Sequence, residues 1–439
     1  MEGLELVKRK EKREYEKDTN YFFEFIKIKN HFFKEFEEWL KRVKDNRHQS
    51  YIKYDPDVIL FEVILKNICN LNTMRSMTNN FNKDECISNL RKVLGIEELD
   101  ELPHYDTVNN FLSILEMPEL EDIRTYMIKE LLKKRCFEDY RINGKYWGVI
   151  IDGTGLFTFN KKHCEHCLKR VYNKGTDEEK TVYMHHVLEA KLVVGDMVLS
   201  IGTEFIENES EDVEKQDCEM RAFHRLAEKI KKTYKRLPIC ILGDSLYACE
   251  PVFKRCDDYR WKYLIRFKEG RIKSIAAEFN TIKEIERKEK EINGTCWAKD
   301  ISYNDRKVNV MEFTLDTDDK KSFVFITDIN ITERNVKELV AVGRSRWKIE
   351  NQGFNNQKNI RYDIEHTNSH NYNAMKNHYI LTQIADICMQ LFENGLKILK
   401  VLKKTAKEMS SNLLEAIRTR RLTEEDILQM TNPIQIRFI

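Results

Sequence analysis

Proline and glycine are scarce in this chain, which has 6 prolines and 15 glycines among its 439 residues. Charged residues make up 34% and hydrophobic residues 41%, a composition typical of a soluble, helix-rich protein. The chain also lacks a long apolar run. Its longest apolar helix candidate, Tyr379 to Phe392, is too short to cross a bilayer and carries Asp386. We therefore expect no membrane span.

The sequence has no signal peptide at its start, no internal repeat and no low-complexity linker. Because 439 residues exceed the size at which a single core stops growing, we expect two or three domains. The 11 cysteines are scattered through apolar segments, as expected for reduced thiols. These features predict a cytoplasmic protein.

Neither sign of charge dominates, because the chain has 75 basic and 73 acidic residues and a net charge of +2. The distribution is uneven. Eight basic residues stand against three acidic ones from Lys254 to Lys273, and eight against two from Lys397 to Arg421. Such stretches are either solvated faces or phosphate-binding surfaces, and the sequence leaves both open. Phosphate contacts would make nucleic-acid affinity fall steeply with salt.

Two aspartates follow apolar runs that we interpret as short buried strands. Asp152 follows Tyr146 to Ile151, and Asp244 follows Leu237 to Leu242 with one glycine between. Carboxylates at the carboxyl ends of such strands face the crevice where α/β sheets bind ligands. The ordinary alternative for an aspartate beside glycine is a turn residue.

A third carboxylate, Glu350, lies in a segment predicted to be helical. Two strand-end aspartates and one helix glutamate suit two Mg²⁺ (or Mn²⁺) ions held about 4 Å apart around a phosphodiester. The alternative for Glu350 alone is a solvated position on a charged helix. The combination predicts a metal-dependent phosphotransferase acting on nucleic acid.

The spacing of these carboxylates resembles that of a known family. Asp152, Asp244 and Glu350 are 92 and 106 residues apart, which is similar to the Asp-Asp-Glu triad of bacterial insertion-sequence transposases. In the most similar subgroup, the glutamate follows a β-rich insertion and lies in a Tyr-x2-Arg-x3-Glu-x6-Lys signature. The resemblance covers roughly Tyr105 to Gly395.

The signature is matched in part. Arg346 and Glu350 occupy its arginine and glutamate positions, whereas Gly343 replaces the tyrosine. Gln357 stands at the lysine position and Lys358 follows one place later. On an α-helix, the seventh residue after the glutamate returns to nearly the same face, and the eighth lies about 80° away. The resemblance makes Lys358 the candidate for gripping DNA.

The resemblance implies an α/β fold, in which a ribonuclease H-like mixed sheet carries a β-rich insertion between an all-helical N-terminal domain and C-terminal helices. We expect a helical domain at residues 1–140, for DNA-end binding and assembly or for structure alone. The catalytic domain should cover residues 141–268 and 326–395, the insertion residues 269–325, and a basic helical region residues 396–439.

The order of predicted elements agrees with this fold. Strands are predicted from Tyr183 to Val194 and from Met197 to Phe205, joined by a Gly-Asp turn. A long helix from about Val213 to Lys235 follows, and the strand before Asp244 comes next. Tyr259 to Lys268 supplies a fifth strand. The insertion is expected to contain only short β-prone runs.

The implied activity is cut-and-paste DNA transposition. The triad would hold two Mg²⁺, water would cut the transposon end, and the freed 3′-hydroxyl would attack target DNA. The implied partners are terminal inverted repeats and target DNA, bound by a homodimer on paired ends in the nucleoid. Arg346 would contact a phosphate or form an i to i+4 ion pair with Glu350. A ribonuclease H-like nuclease that cuts without joining, or a domesticated DNA-binding protein, is the alternative.

Two further features each allow two interpretations. Trp297, in the insertion, either stacks on a flipped DNA base, as a tryptophan does in related hairpin-forming transposases, or anchors the small β region. Cys164 and Cys167 supply half of a tetrahedral zinc site or belong to a reduced polar loop. Candidates to complete the site are His163, His166, His185 and His186. The last two are adjacent on a predicted strand, so at most one is a ligand.

Overall fold

The computed structural model describes residues 14, 17–210, 213, 215–286, 294–316, 321–396, 399, 402, 404–434, 436 and 438. The chain forms two compact units. One contains residues 1–136 and 355–439, and the other contains residues 137–354. The N-terminal and C-terminal helices therefore belong to one unit, and this division differs from the predicted one, which assigned residues 355–395 to the catalytic domain.

The first unit is helical throughout the residues that the structure describes. Its N-terminal helices are α1 (Tyr21–Phe32), α2 (Phe36–Lys41), α3 (Pro56–Ile68), α4 (Met74–Phe81), α5 (Asp84–Leu94), α6 (Tyr105–Ile114) and α7 (Met117–Lys133). Its C-terminal helices are α12 (Tyr372–Gly395), α13 (Ala406–Thr419) and α14 (Glu424–Gln429). Three phenylalanines of α1, Phe22, Phe25 and Phe32, recur at helical spacing and are buried, as the sequence predicted.

Helix α12 lies at the centre of this unit and packs against α1, α3, α6 and α7. It contains the longest apolar run of the sequence, and nearly all of its side chains are buried. Asp386 is held in this core by the side-chain amides of Gln357 and Gln390, each 2.8 Å from its carboxylate. Among the described residues, no helix is long and apolar enough to cross a membrane.

The second unit contains one mixed sheet with helices around it. Its first part is β1 (Trp147–Phe159), β2 (Leu168–Tyr172), β3 (Lys180–Val194), β4 (Met197–Ile206), α8 (Glu219–Thr233), β5 (Ile239–Gly243), α9 (Glu250–Tyr259) and β6 (Lys262–Arg266). Its second part is α10 (Lys273–Glu286), β7 (Thr295–Tyr303), β8 (Arg306–Thr314), β9 (Ser322–Thr327) and α11 (Val336–Ser345). A π-helix, Ile349–Ile360, begins in this unit.

Strand order explains why the centre of the sheet is so apolar. Within the described part of the chain, the order is β2-β3-β1-β5-β6-β9-β8-β7, with β4 paired to β3. Strands β1, β5 and β6 pair in parallel, and the other pairs are antiparallel. Parallel strands covered on both faces need near-continuous apolar runs. The predicted ribonuclease H-like sheet is confirmed, including the β3-β4 hairpin and the fifth strand.

Strand β1 does not end at Asp152, as the sequence predicted, but runs on to Phe159. Its pairing with β5 stops at Ile150 and Leu242, whereas its antiparallel pairing with β3 continues. The glycines at 153 and 155 interrupt the apolar pattern, but hydrogen bonds to β3 hold the segment extended. Asp152 therefore lies where β1 leaves its parallel neighbour, beside the end of β5.

The segment predicted to be a β-rich insertion, residues 269–325, extends the central sheet. Strand β9 pairs with β6, so β7 and β8 continue the same sheet outwards. A helix, α10, packs against β7 and was not predicted; residues 287–293 and 317–320 of the insertion lie outside the described residues. Trp297 is only 7% exposed and packs in a core with Met311 and Phe325. This burial agrees with the anchoring interpretation, and stacking of Trp297 on a DNA base stays a prediction.

Candidate active site

Asp152, Asp244 and Glu350 lie on three different elements and are close enough to interact electrostatically. Asp152 lies on β1, and Asp244 follows β5 and caps a short 3-10 turn, where its carboxylate accepts from the backbone N–H of Leu246 at 2.7 Å. Glu350 lies in the first turn of the π-helix. Carboxylates separated by 92 and 106 residues in sequence thus lie near the end of the central parallel strands, where Glu350 and Asp244 each raise the pKa of Asp152.

Arg346 links two of these carboxylates. Its guanidinium lies 2.7 Å from an oxygen of Glu350 and 3.6 Å from an oxygen of Asp152. The i to i+4 ion pair considered from the sequence is therefore present, and the same side chain reaches β1 as well. Glu350 remains half exposed.

A fourth carboxylate, Glu219, lies at this site and was missed from the sequence. It is the first residue of α8, and its Oε2 would stand 3.0 Å from a Cβ atom placed on Gly153. A side chain at position 153 would therefore press on the carboxylate. The hydroxyl of Tyr247, in the 3-10 turn after Asp244, donates to Glu219 Oε1 at 2.6 Å. The sequence from Lys215 to Glu219 also resembles the same transposases, and this resemblance was the signal that could have found Glu219.

The pKa of Asp152 is raised mainly by burial and further by neighbouring carboxylates. This pKa is about 7, and the carboxylates that add to the effect of burial are those of Glu350, Glu219 and Asp244. Arg346 opposes this shift without cancelling it. Burial also raises the pKa of Glu219, against the hydrogen bond from Tyr247.

Arg346 contacts two of the four carboxylates, Asp152 and Glu350, and the other two interact electrostatically with Asp152. Carboxylate oxygens are the donors that divalent cations such as Mg²⁺ bind. A bound cation would compensate the charge that Arg346 leaves uncompensated. Asp152, Asp244 and Glu350 are the residues that would hold it, with Glu219 beside them.

A cleft of about 430 Å³ adjoins Asp244. Aromatic rings of Phe323 and Phe325 form part of its wall, and the ring of Trp347, 57% exposed, forms another part. The basic residues that line it are Arg266, Lys268, Lys321, Arg344 and Arg346.

The arginines of this cleft are supported by aromatic rings. The guanidinium of Arg266 lies 4.6 Å from the ring centre of Phe323, and that of Arg344 lies 5.4 Å from the same ring. Burial and the nearby Arg346 lower the pKa of Arg266. Five cations beside one carboxylate form a surface suited to an anionic ligand such as phosphate.

The departures from the family signature have structural reasons. A Cβ on Gly343 would stand 2.8 Å from the ring of Phe325, so this ring occupies the space that a side chain at 343 would need. Gln357 is fully buried and bonds to Asp386, and Lys358 forms an ion pair with Glu365 at 2.6 Å.

The prediction that Gln357 shares a face with Glu350 is wrong, because it assumed an α-helix. The segment Ile349–Ile360 is a π-helix, whose i to i+5 hydrogen bonds put more than four residues in each turn. Seven residues then span roughly one and a half turns and reach the opposite side of the helix. The half-exposed Glu350 and the buried Gln357 agree with this geometry. Contact of Lys358 with DNA stays a prediction.

The two basic stretches differ in what their residues contact. From the stretch 254–273, Arg266 and Lys268 line the cleft. In the stretch 397–421, Arg418 and Arg420 donate to groups of their own helical unit, the amide oxygen of Asn80 and the carbonyl of Asp18. Lys397, Lys400 and Lys403 lie outside the described residues.

The cysteine pair lies in the loop between β1 and β2. The sulfur atoms of Cys164 and Cys167 are 3.7 Å apart, and both approach His185 on β3. His166, one of the predicted ligands, instead contacts the carbonyl of Asn208 through Nδ1 at 2.9 Å. His185 and His186 face opposite sides of β3, as predicted, with His186 beside Gly155.

The family described as a transposase DDE domain matches residues 143–385, more than half of the chain, so the protein belongs to this family. The match contains all three carboxylates and the insertion. No curated protein matches the chain. Members of this family take part in DNA transposition and generally use divalent metals such as Mg²⁺.

Proposed function

We propose that the protein is a cut-and-paste transposase that cleaves the ends of its own element and joins the freed 3′-hydroxyl to target DNA. The observation that carries the proposal is the convergence of Asp152, Asp244 and Glu350 beside a cleft lined by five cations. A carboxylate group alone fits many metal enzymes, and a basic cleft alone fits many DNA-binding proteins. Asp244 and Arg346 belong both to the carboxylate site and to the lining of the basic cleft, so one site combines the two properties.

The roles of the residues follow from their positions. Asp152, Asp244 and Glu350 would bind two Mg²⁺, which supply a nucleophile at neutral pH and stabilise charge on the leaving oxygen. Arg346 orients Asp152 and Glu350 through its two ion pairs. Glu219, fixed by Tyr247, keeps a fourth carboxylate at the same edge. Catalysis then consists of positioning and charge stabilisation, with no covalent link between protein and DNA.

The basic cleft is the proposed path of the DNA backbone into the site. Lys268, Lys321 and Arg344 would neutralise phosphates beyond the scissile bond. The exposed ring of Trp347, adjacent in sequence to Arg346, would stack on an unpaired base near the cut. Trp347 thus takes the role that the sequence had offered to Trp297, because its ring is accessible and that of Trp297 is not.

The test uses DNA that flanks the gene and contains its inverted terminal repeats. With Mg²⁺, the purified chain should cut the repeat at the element boundary and join the 3′ end to a supercoiled target plasmid. Cutting without joined products would support the nuclease alternative, and binding without cutting would support the domesticated DNA-binding protein. Either result overturns the proposal.

The proposed working form is a homodimer on two paired ends, because one set of carboxylates serves one cut and transposition needs both ends. Mixing wild-type subunits with Glu350→Gln subunits on paired-end DNA tests this assembly. Complexes with one active subunit should cut one end only. Cutting of both ends at the full rate by such mixed complexes would show that one subunit serves both.

A further inference from the structure

A second group of metal-type ligands lies beyond the end of β1, the strand that carries Asp152, and outside the carboxylate site. The loop after β1 contains Cys164 and Cys167, and β3 contributes His185. The sulfur of Cys164 is 3.5 Å, and that of Cys167 3.4 Å, from Nε2 of His185. The two sulfurs are 3.7 Å apart, and all three donor atoms are thus mutual neighbours.

These spacings match the edges of a zinc tetrahedron. Zn–S bonds of about 2.3 Å and Zn–N bonds of about 2.0 to 2.1 Å place two sulfur ligands about 3.8 Å apart and a sulfur and a nitrogen about 3.6 Å apart. Each of the three distances is within about 0.2 Å of its ideal edge. The three atoms form one face of such a tetrahedron.

His163 is the candidate for the fourth ligand, and its ring would have to shift to complete the tetrahedron, because the group of ligand atoms within 4.8 Å of one another contains His163, Cys164 and His185 but not Cys167. One of its ring nitrogens lies within 4.8 Å of both the Cys164 sulfur and a ring nitrogen of His185. Its ring stacks on Phe159, the last residue of β1, with centroids 4.4 Å apart. Four protein ligands would leave no open position, which is the arrangement of a structural zinc site.

The surrounding contacts fix the loop that carries the cysteines. The side-chain amide of Asn208 donates to the carbonyl of Cys167 at 2.9 Å, and its backbone N–H donates to that of His166. Cys167 N–H donates to the Cys164 carbonyl, closing the Cys-x2-Cys turn. The loop is therefore held against β3 by residues that are not ligands, and this leaves the two sulfurs facing His185.

We propose that Cys164, Cys167, His185 and His163 bind one Zn²⁺ that ties the β1-β2 loop to β3. Thiolate and imidazole ligands select Zn²⁺, whereas the carboxylate site selects Mg²⁺ or Mn²⁺, so the two sites would take different metals. The zinc would hold the distal half of β1 against β3. Its role is structural and independent of the proposed cleavage chemistry.

The test is metal content and ligand identity in the full chain purified without chelator. Elemental analysis should give one zinc per chain, and X-ray absorption should give two sulfur and two nitrogen neighbours. Cys164→Ser, Cys167→Ser and His185→Asn should each lose the zinc and lower the melting temperature. His166→Gln and Cys218→Ser are matched controls that should keep it, because His166 faces Asn208 and Cys218 is an exposed cysteine elsewhere.

Zinc bound adventitiously at the carboxylates is distinguished by Asp244→Asn, which should leave the zinc content unchanged. Protein that holds no zinc and shows no thiolate-to-metal absorption when titrated with Co²⁺ would overturn the proposal. So would zinc surrounded only by oxygen and nitrogen. The X-ray absorption and Co²⁺ measurements need only the wild-type chain, so they stand even if the cysteine variants fail to fold.

Discussion

The hydroxyl of Tyr247 donates to the carboxylate of Glu219 at 2.6 Å, beside Asp152 and Asp244. This bond fixes the fourth acidic side chain of the site. We predict that Glu219→Gln lowers the cleavage rate by about 10 to 100-fold, the range found when an outer partner of a metal ligand is lost. The amide keeps the size of the side chain and an acceptor for Tyr247, so the fold should be preserved.

Tyr247→Phe is the companion variant, because it removes only the hydroxyl. It should lower cleavage less than Glu219→Gln and leave end binding intact. Cleavage rates at several Mg²⁺ concentrations show whether Glu219 helps to bind metal. If Glu219 helps to bind metal, more Mg²⁺ should partly restore the rate of Glu219→Gln. A wild-type rate in both variants would remove Glu219 from the site.

The cleft predicts a specific salt dependence. Lys268→Ala and Lys321→Ala should each weaken DNA binding for all sequences alike. Each should also reduce the slope of log affinity against log salt by about 1, because one phosphate contact is lost. Lys232→Ala is the control, since Lys232 is exposed on α8 and pairs with Glu228 outside the cleft. Equal slopes in all three variants would exclude the cleft as the DNA path.

The two tryptophans should behave in opposite ways. Trp347→Ala should change stability by less than about 0.5 kcal/mol, because the ring is exposed, but weaken binding to distorted end DNA by about 1 to 3 kcal/mol. Trp297→Ala should cost about 3 to 5 kcal/mol of stability, because it empties a core position. Thermal unfolding and DNA titration separate the effects. A stable Trp297→Ala with weakened DNA binding would restore the base-stacking role to Trp297.

Gly343→Ala should destabilise the protein, although alanine normally stabilises a helix by about 1 kcal/mol relative to glycine. The new methyl group would stand 2.8 Å from the Phe325 ring. Combining it with Phe325→Leu should recover part of the loss, since the smaller side chain makes room. Melting temperatures of the two single variants and the double variant test this coupling. Additive effects would contradict it.

Most of the sheet could be predicted from the sequence, because local pattern determines it. The Gly195-Asp196 turn between two β-prone runs predicted the β3-β4 hairpin, and apolar runs before Asp152 and Asp244 predicted the central strands. The continuation of β1 was missed, since its glycines carry no strand signal and only pairing with β3 maintains it. Helix α10 was also missed, although Ile275 and Phe279 recur at helical spacing and are buried.

The site was predictable where a residue type and its spacing carried the chemistry, and not where tertiary contacts decided it. The proposed triad was inferred from three carboxylates and the apolar runs before two of them. Glu219 joins it only because α8 begins beside Gly153. That His185, and not His166, lies beside the two sulfurs depends on strand pairing and on Asn208. No pattern in the sequence predicted the π-helix, which places Gln357 on the side opposite to the one expected for an α-helix.

The central claim is that Asp152, Asp244 and Glu350 bind the metal that the protein needs to cleave DNA. The variant Asp244→Cys tests this claim most directly. A thiolate binds Mg²⁺ poorly and accepts softer metals such as Mn²⁺. We predict that this variant binds end DNA normally, fails to cut with Mg²⁺ and regains cutting with Mn²⁺. Asp196→Cys, at an exposed turn, should cut with either metal. Full cutting by Asp244→Cys with Mg²⁺, or equal loss with both metals in a folded protein that still binds DNA, would contradict the account.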